Sequence, residues 1–287
     1  MQKYQNQLAS GKEVSKPSDN PLLVSKIMDL NNNILQNKQY NTNISDTLGW
    51  VETQDGALSG VSKTLNRIRD LIIYGSNGSL SETDSEAIKD EVVMKIQELA
   101  DILNTNFDGR YIFAGQKTKT MPFSVVDNEL KYNGTNGDGS DKNIEREISK
   151  GVTIEVLTDG GSITTAGDAT TDNRELGDLL SNIVKALNGE DGLDSDDLSG
   201  VLLSDIDKHL DNVLRVRSKI GAIYNRLEAA KSRNEGENIN LNSLLSQRED
   251  IDVAEKYMEY SVMKTVYQAS LATGAQILQP SLLNYLR

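Results

Sequence analysis

Ile206-Asp207-Lys208-His209-Leu210-Asp211-Asn212-Val213-Leu214-Arg215-Val216-Arg217-Ser218-Lys219-Ile220 opens a run in which apolar residues return every three or four positions, and that spacing decides the fold. Ile206, Leu210, Val213, Val216, Ile220, Ile223, Leu227 and Ala230 fall on one face of a helix. Leu241, Leu244 and Ile251 resume the phase after a polar gap. Such a seam is what a helix needs to lie along another helix. No proline falls between Pro122 and Pro280. Read as one helix from Leu198 to Gln279, the segment spans about 120 Å at about 1.5 Å per residue. A helix of that length needs another long helix of the chain, or other subunits, to cover its seam. Asn234-Glu235-Gly236-Glu237-Asn238 is the weak point, where a bend or break is expected.

Past Ile251 the apolar surface widens into two stripes. One runs Ile251, Ala254, Met258, Thr265, Ala269, Ala272; the other runs Val253, Tyr257, Tyr260, Tyr267, Leu271, Leu278. Two stripes require more than one neighbour. A buried central helix would satisfy them, but the chain supplies few helices to surround it, so an assembly surface is the better reading. The tail through Leu282, Leu283, Tyr285 and Leu286 is too apolar for a chain end left in water. The residues expected to make subunit contacts are therefore Leu271, Ile277, Leu278, Leu282, Leu283, Tyr285 and Leu286.

The upstream half carries a matching seam. Met1 to Leu8 reads as the end of a helix stopped at Ser10-Gly11, and Asn20-Pro21 reads as an N-cap followed by a first-turn proline. From there Ile27, Leu30, Ile34, Asn37, Asn41, Ile44, Leu48, Val51, Asp55 and Leu58 alternate steps of three and four, continuing through Val61, Leu65, Ile68 and Ile72. The polar members Asn37, Asn41 and Asp55 either fix the register of a helix pair or face water where it parts. Thr83-Asp84-Ser85-Glu86 has capping-box spacing ahead of a helix bearing Ile88, Val92, Ile96, Leu99 and Leu103. Tyr111-Ile112-Phe113 reads as a short strand. Phe123–Val126 and Leu130–Tyr132 flank the turn Asp127-Asn128 as a hairpin, and Ile144–Ile148 pairs with Val152–Val156 around Lys150-Gly151. Leu176 to Leu187 reads as a short helix.

The predicted fold is mainly α: an elongated bundle of long coiled-coil-like helices with a small β-rich insert. The expected segments are an N-terminal remnant and linker (1–20), the first part of the helical rod (21–117), the β-rich insert (118–165), the second part of the rod (166–269) and a C-terminal assembly segment (270–287). The shift in composition around residues 118–165 predicts an insert that shares few contacts with the helices.

Composition narrows function by exclusion. The net charge is −13, from 43 acidic and 30 basic residues, which speaks against nucleic acid or an anionic membrane as the main partner. There is no cysteine and a single histidine, His209, so thiolate chemistry and paired imidazoles are excluded. No apolar run is long enough to span a membrane, and no secretory signal is present. The glycine-rich loop Asn133–Ser140 lacks the lysine and Ser/Thr of a phosphate-binding loop. Neither that loop nor the acidic loop Glu190–Asp197 has EF-hand spacing. No catalytic, cofactor-binding or metal-ligating residues are assigned, and the chain does not read as an enzyme.

Several stretches together resemble one family, the flagellins and their hook–filament junction relatives, the third hook-associated proteins. Gln7-Leu8-Ala9-Ser10-Gly11-Lys12 with Pro17-Ser18-Asp19-Asn20-Pro21 is similar to the opening of the junction proteins. Asn104 to Gly115, containing Phe107-Asp108-Gly109-Arg110-Tyr111-Ile112-Phe113, is similar to their link into the β part. Leu245 to Glu255 matches the flagellin-type C-terminal region, and Ile277-Leu278-Gln279-Pro280-Ser281-Leu282-Leu283 is similar to the junction proteins' ending. The resemblance implies a structural subunit without cofactor, located outside the cell at the junction of hook and filament. It implies self-association in a ring, contact with a neighbouring hook-associated junction protein and with flagellin, and export by the flagellar type III route with a chaperone on the C-terminal segment. Neither nucleic acid nor membrane is an expected partner. The family usually carries a further helix ahead of Leu8-Ala9-Ser10-Gly11, so the front of the terminal domain is expected to be shortened and its C-terminal half left without that partner. A filament flagellin is the alternative, and an exported helical effector or enzyme a third reading.

Overall fold

The structure is a computed structural model and describes residues 1–278 apart from 15, 77–80, 135–142, 167–174 and 190–196. The described chain divides into two compact units, residues 40–233 and residues 1–39 with 234–287.

The larger unit is a bundle of helices closed over by short strand pairs. Its helices are drawn from α2 (Pro21–Gly75), α3 (Glu82–Leu103), α4 (Gly161–Thr164), α5 (Leu176–Asn188) and α6 (Leu203–Glu249), the last entered through a π-helical turn at Leu198–Leu202. Its strands form three antiparallel pairs: β1 (Asn106–Phe107) with β2 (Arg110–Tyr111), β3 (Phe123–Val126) with β4 (Glu129–Tyr132), and β5 (Ile144–Ser149) with β6 (Val152–Val156). The seams meet as their spacing requires. Ile44, Val51, Leu58, Val61, Leu65, Ile68 and Ile72 of α2 are buried with Val92, Ile96 and Leu99 of α3 and Ile206, Val213, Ile220 and Leu227 of α6. Charge fixes the register of α2 on α6. Arg217 donates twice to Asp55 (3.0 and 3.2 Å), and Arg69 donates to Asp207 (2.6 Å). Moving forward along α2 from Asp55 to Arg69 moves the partner back along α6 from Arg217 to Asp207, so the helices are antiparallel. Asp55, a polar break in the seam, thus sets register.

The strand pairs are not a separate body. Phe123, Leu130, Ile148, Ile154 and Val156 belong to the same buried cluster as the helices, which corrects the expectation of an insert with few shared contacts. Three polar links hold them. Asn104, at the end of α3, exchanges two hydrogen bonds with the backbone of Phe123, each 2.9 Å. Gln54 of α2, fully buried, donates to the Ile112 carbonyl (3.1 Å) and the Leu157 carbonyl. Asn212 of α6 donates to the carbonyls of Ser162, Ile163 and Thr165. The β3–β4 turn is the Asp127-Asn128 pair expected from sequence, with φ of 54° and 62°, the mirror-image turn that matches strand twist.

Helix α3 begins two residues earlier than the spacing of Thr83 and Glu86 suggests. Ser81 is the N-cap and Asp84 completes the box. The hydroxyl-x-x-acid pattern is satisfied two residues upstream, where the extended backbone of Ser81 lets its hydroxyl accept from the Asp84 N–H (3.2 Å).

The smaller unit holds α1 (Gln2–Ser10), the start of α2, the end of α6 and α7 (Val253–Leu278). Asn20 caps α2 as expected, accepting from the Leu23 N–H (3.1 Å) ahead of Pro21. Ile27, Ile34 and Asn37 are its buried seam positions. Asn37 donates to Glu237 of α6 (3.4 Å).

The expectation of one helix from Leu198 to Gln279 fails, and of the bend or break expected at Asn234–Asn238 no break is found. The helix is continuous through Gly236 and ends at Glu249, and α7 starts at Val253. The cause lies far away in sequence. Gly11 takes a left-handed conformation (φ 70°) after α1 and turns the chain alongside the end of α6. The Glu13 N–H then donates to the Glu249 carbonyl (2.7 Å), and the Ile251 N–H donates to the Gly11 carbonyl (3.1 Å). Asp252 restarts the helix by accepting from the N–H groups of Ala254 and Glu255.

Candidate assembly surface

Helix α7 is held at its base and bare beyond it. At the base, Tyr260 accepts a hydrogen bond from Gln5 of α1 (3.1 Å), and Lys256 pairs with Glu13 (3.5 Å) and Glu259 (3.3 Å). Burial opposes the Lys256 charge, but Glu259 and Glu13 outweigh it and hold its pKa above the ordinary value. Lys12, paired with Glu249, is raised for the same reason, the hydrogen bond and charge of that carboxylate. From Ser261 to Gln276 every residue is exposed except Gly274, which is half-buried.

The exposed side chains are the wrong ones for water. Glu259 is the last acidic residue of this acidic chain, and only Lys264 and Arg287 are charged after it. Val253, Tyr257, Tyr267 and Leu271 stand on one side of α7, and Met258, Val262 and Val266 form a stripe at i, i+4 and i+8 on another. Met263 lies between them. A surface helix normally confines apolar residues to one stripe, and a helix apolar all round is a buried one. Among the described residues of the unit, none buries it past the first turns.

Of the seven residues expected to make subunit contacts, Leu271 is exposed at 57%. Ile277 and Leu278 belong to the last turn of α7, their side chains outside the described residues, as are Leu282, Leu283, Tyr285 and Leu286 altogether. The sequence reading missed Val262, Met263 and Val266, which fill the faces between its two stripes. The signal available for them was the absence of charge between Glu259 and Gln279, broken by Lys264 alone.

Elsewhere the chemistry is structural. His209 is buried in α6, and Tyr132 donates to Asp159 (3.0 Å) and accepts from the Gly160 N–H (3.1 Å). Burial, then the Asp159 carboxylate, push the Tyr132 phenol far above its ordinary pKa. Among the described residues no three His, Cys, Asp or Glu side chains could hold a metal ion, and no helix is long and apolar enough to cross a membrane. The glycine-rich and acidic loops lie largely outside the described residues.

Comparison with known proteins recognises both helical ends of the sequence. Residues 1–118 match the family model of the bacterial flagellin N-terminal helical region, and residues 203–286 match that of the C-terminal helical region. The chain belongs to the flagellin superfamily. Within the superfamily it is similar to flagellar hook-associated protein 3 of Escherichia coli K12, 29% identical over 281 residues that cover 93% of this chain and 87% of that relative. It is also similar to flagellin of Bacillus subtilis, 26% identical over 281 residues, 96% of this chain and 88% of that one. The crystal structure of flagellar hook-associated protein 3 from Legionella pneumophila shares the fold, with a TM-score of 0.65 at 17% identity over 78% of this chain and 98% of that one.

Proposed function

We propose that this chain is a structural subunit of the bacterial flagellum, an adaptor ring that joins the hook, through another junction protein, to the flagellin filament. The observation that carries the reading is the exposed surface of α7 beyond Glu259, charged only at Lys264, in a chain with a near full-length relative that is a flagellar hook-associated protein 3. In the ring, neighbouring copies, the adjoining hook-associated protein and flagellin cover α7 and the tail beyond it. Each large apolar side chain so covered contributes roughly 1.5–3 kcal/mol before ordering costs, so a few of them sustain assembly. The residues proposed for those contacts are Leu271, Ile277, Leu278, Leu282, Leu283, Tyr285 and Leu286, together with Val262 and Val266. Before assembly the same surface needs cover, which an export chaperone supplies. A chain without cysteine carries no disulfide to reduce before unfolded passage through the export channel.

The reading of the chain as filament flagellin draws on the similarity to the Bacillus subtilis protein. The two are separated by where the subunit sits. Antibody against this chain, imaged on whole flagella by electron microscopy, is expected to mark one band at the distal end of the hook. Label along the filament would establish the flagellin reading instead.

A further inference from the structure

The chain has six methionines, and none is in its core. Met1, Met28, Met94, Met121, Met258 and Met263 are all exposed, while the buried cluster is built of Ile, Leu, Val, Ala and aromatic residues. Cysteine is absent and the one tryptophan, Trp50, is buried. The thioethers are therefore the most readily oxidised groups that solvent can reach. Two of them, Met258 (62% exposed) and Met263 (41%), stand on α7. Met258 heads the stripe it shares with Val262 and Val266, and Met263 is one turn from Tyr267.

We infer that Met258 and Met263 make the assembly surface oxidant-sensitive, so that converting them to sulfoxides in the free subunit blocks incorporation while leaving the fold intact. The inference rests on α7 being the assembly surface. The oxidant is a peroxide. The sulfur lone pair attacks one peroxide oxygen, the O–O bond breaks and an S–O bond forms. The proton on the transferred oxygen passes to the departing hydroxide, which leaves as water; the thioether is oxidised by two electrons and the peroxide reduced by two. The product replaces an apolar, adaptable side chain by a polar one that a dry contact leaves without a partner. Met1, Met28, Met94 and Met121 are oxidised alongside them, but outside α7.

The test adds purified full-length chain to hook-ended flagella from cells lacking the gene and counts incorporation, before and after hydrogen peroxide, with sulfoxide at each methionine quantified by peptide mass spectrometry. Peroxide is expected to lower incorporation by at least about tenfold, the factor that follows from losing the burial of even one of the two side chains, with thermal melting unchanged. Methionine sulfoxide reductases of both epimer classes should restore it. The Met258→Leu/Met263→Leu variant, a volume-conserving exchange without the thioethers, should incorporate to the same extent before and after peroxide, whatever its starting level. Unchanged incorporation with both sulfoxides formed would overturn the inference, as would equal peroxide sensitivity of the double-leucine variant. A Val266→Asp/Leu271→Asp variant separates the two layers: if it incorporates normally, the assembly reading itself fails; if it does not, only the oxidation inference is at stake.

Discussion

Gln54 shows what a single polar residue does inside this helix bundle. It sits on the face of α2 that meets the strands, fully buried, and its side-chain amide supplies the donors for two carbonyls that no strand partner reaches, those of Ile112 and Leu157. Replacing it by leucine keeps the volume and removes both donors. Leaving buried acceptors unsatisfied costs about 1–3 kcal/mol, so Gln54→Leu is expected to lower the unfolding free energy of the larger unit by that amount in urea titration. An unchanged midpoint would show that the two carbonyls find other partners. Nothing in the sequence distinguishes Gln54 from a solvated helix residue, because its partners arrive from 58 and 103 positions away. Asp55, next to it, was legible as a seam position, but its partner Arg217 was not. Short-range signals were read more fully: Asn20 with Pro21, Gly11, and the Asp127-Asn128 turn each depend on backbone geometry that the residue type itself favours.

At the scale of elements, the seams of α2, α3 and α6 follow from periodicity alone, since a spacing of three and four places apolar residues on one face whatever the rest of the chain does. The break between α6 and α7 does not follow from it. Gly236 costs about 1 kcal/mol within a helix, yet α6 runs through it while Asn234 is buried and Glu237 accepts from Asn37. The helix ends instead where the backbone of Gly11–Glu13 competes for its last groups, a contact invisible to any local window. The strand-rich middle was legible as three strand signals and misread in its independence. With Phe123, Leu130, Ile148 and Ile154 in the helices' own cluster, replacing residues 118–165 by a short linker opens α3, α5 and α6 to water. Each lost large side chain costs about 2–5 kcal/mol, so the replacement is expected to abolish cooperative melting of the larger unit. Retention of the parental melting curve by circular dichroism would show the strands to be dispensable to the helices.

For the whole molecule, the proposed function puts stability and assembly on different residues. The larger unit buries its seams within itself, whereas α7 is anchored through Gln5, Glu13 and Lys256 and then presents Val262, Val266, Tyr267 and Leu271 to solvent. In the proposed function that exposure serves assembly, and the proposed ring gives it partners. The division has a direct consequence for Val266→Asp/Leu271→Asp. In the free subunit both side chains are already in water, and exposed substitutions usually change stability by no more than about 0.5 kcal/mol. In an assembled contact each would bury a charge without a partner, at a cost of several kcal/mol. The decisive measurement is complementation of a strain lacking the gene with this variant, scoring swimming and label at the hook end, with the exported chain assayed in the medium and its melting compared with the parent. Normal export and melting, with no label at the hook and no swimming, is the expected result; an exported variant that labels the hook end and swims normally would contradict the assignment of α7 as the surface on which the subunit assembles.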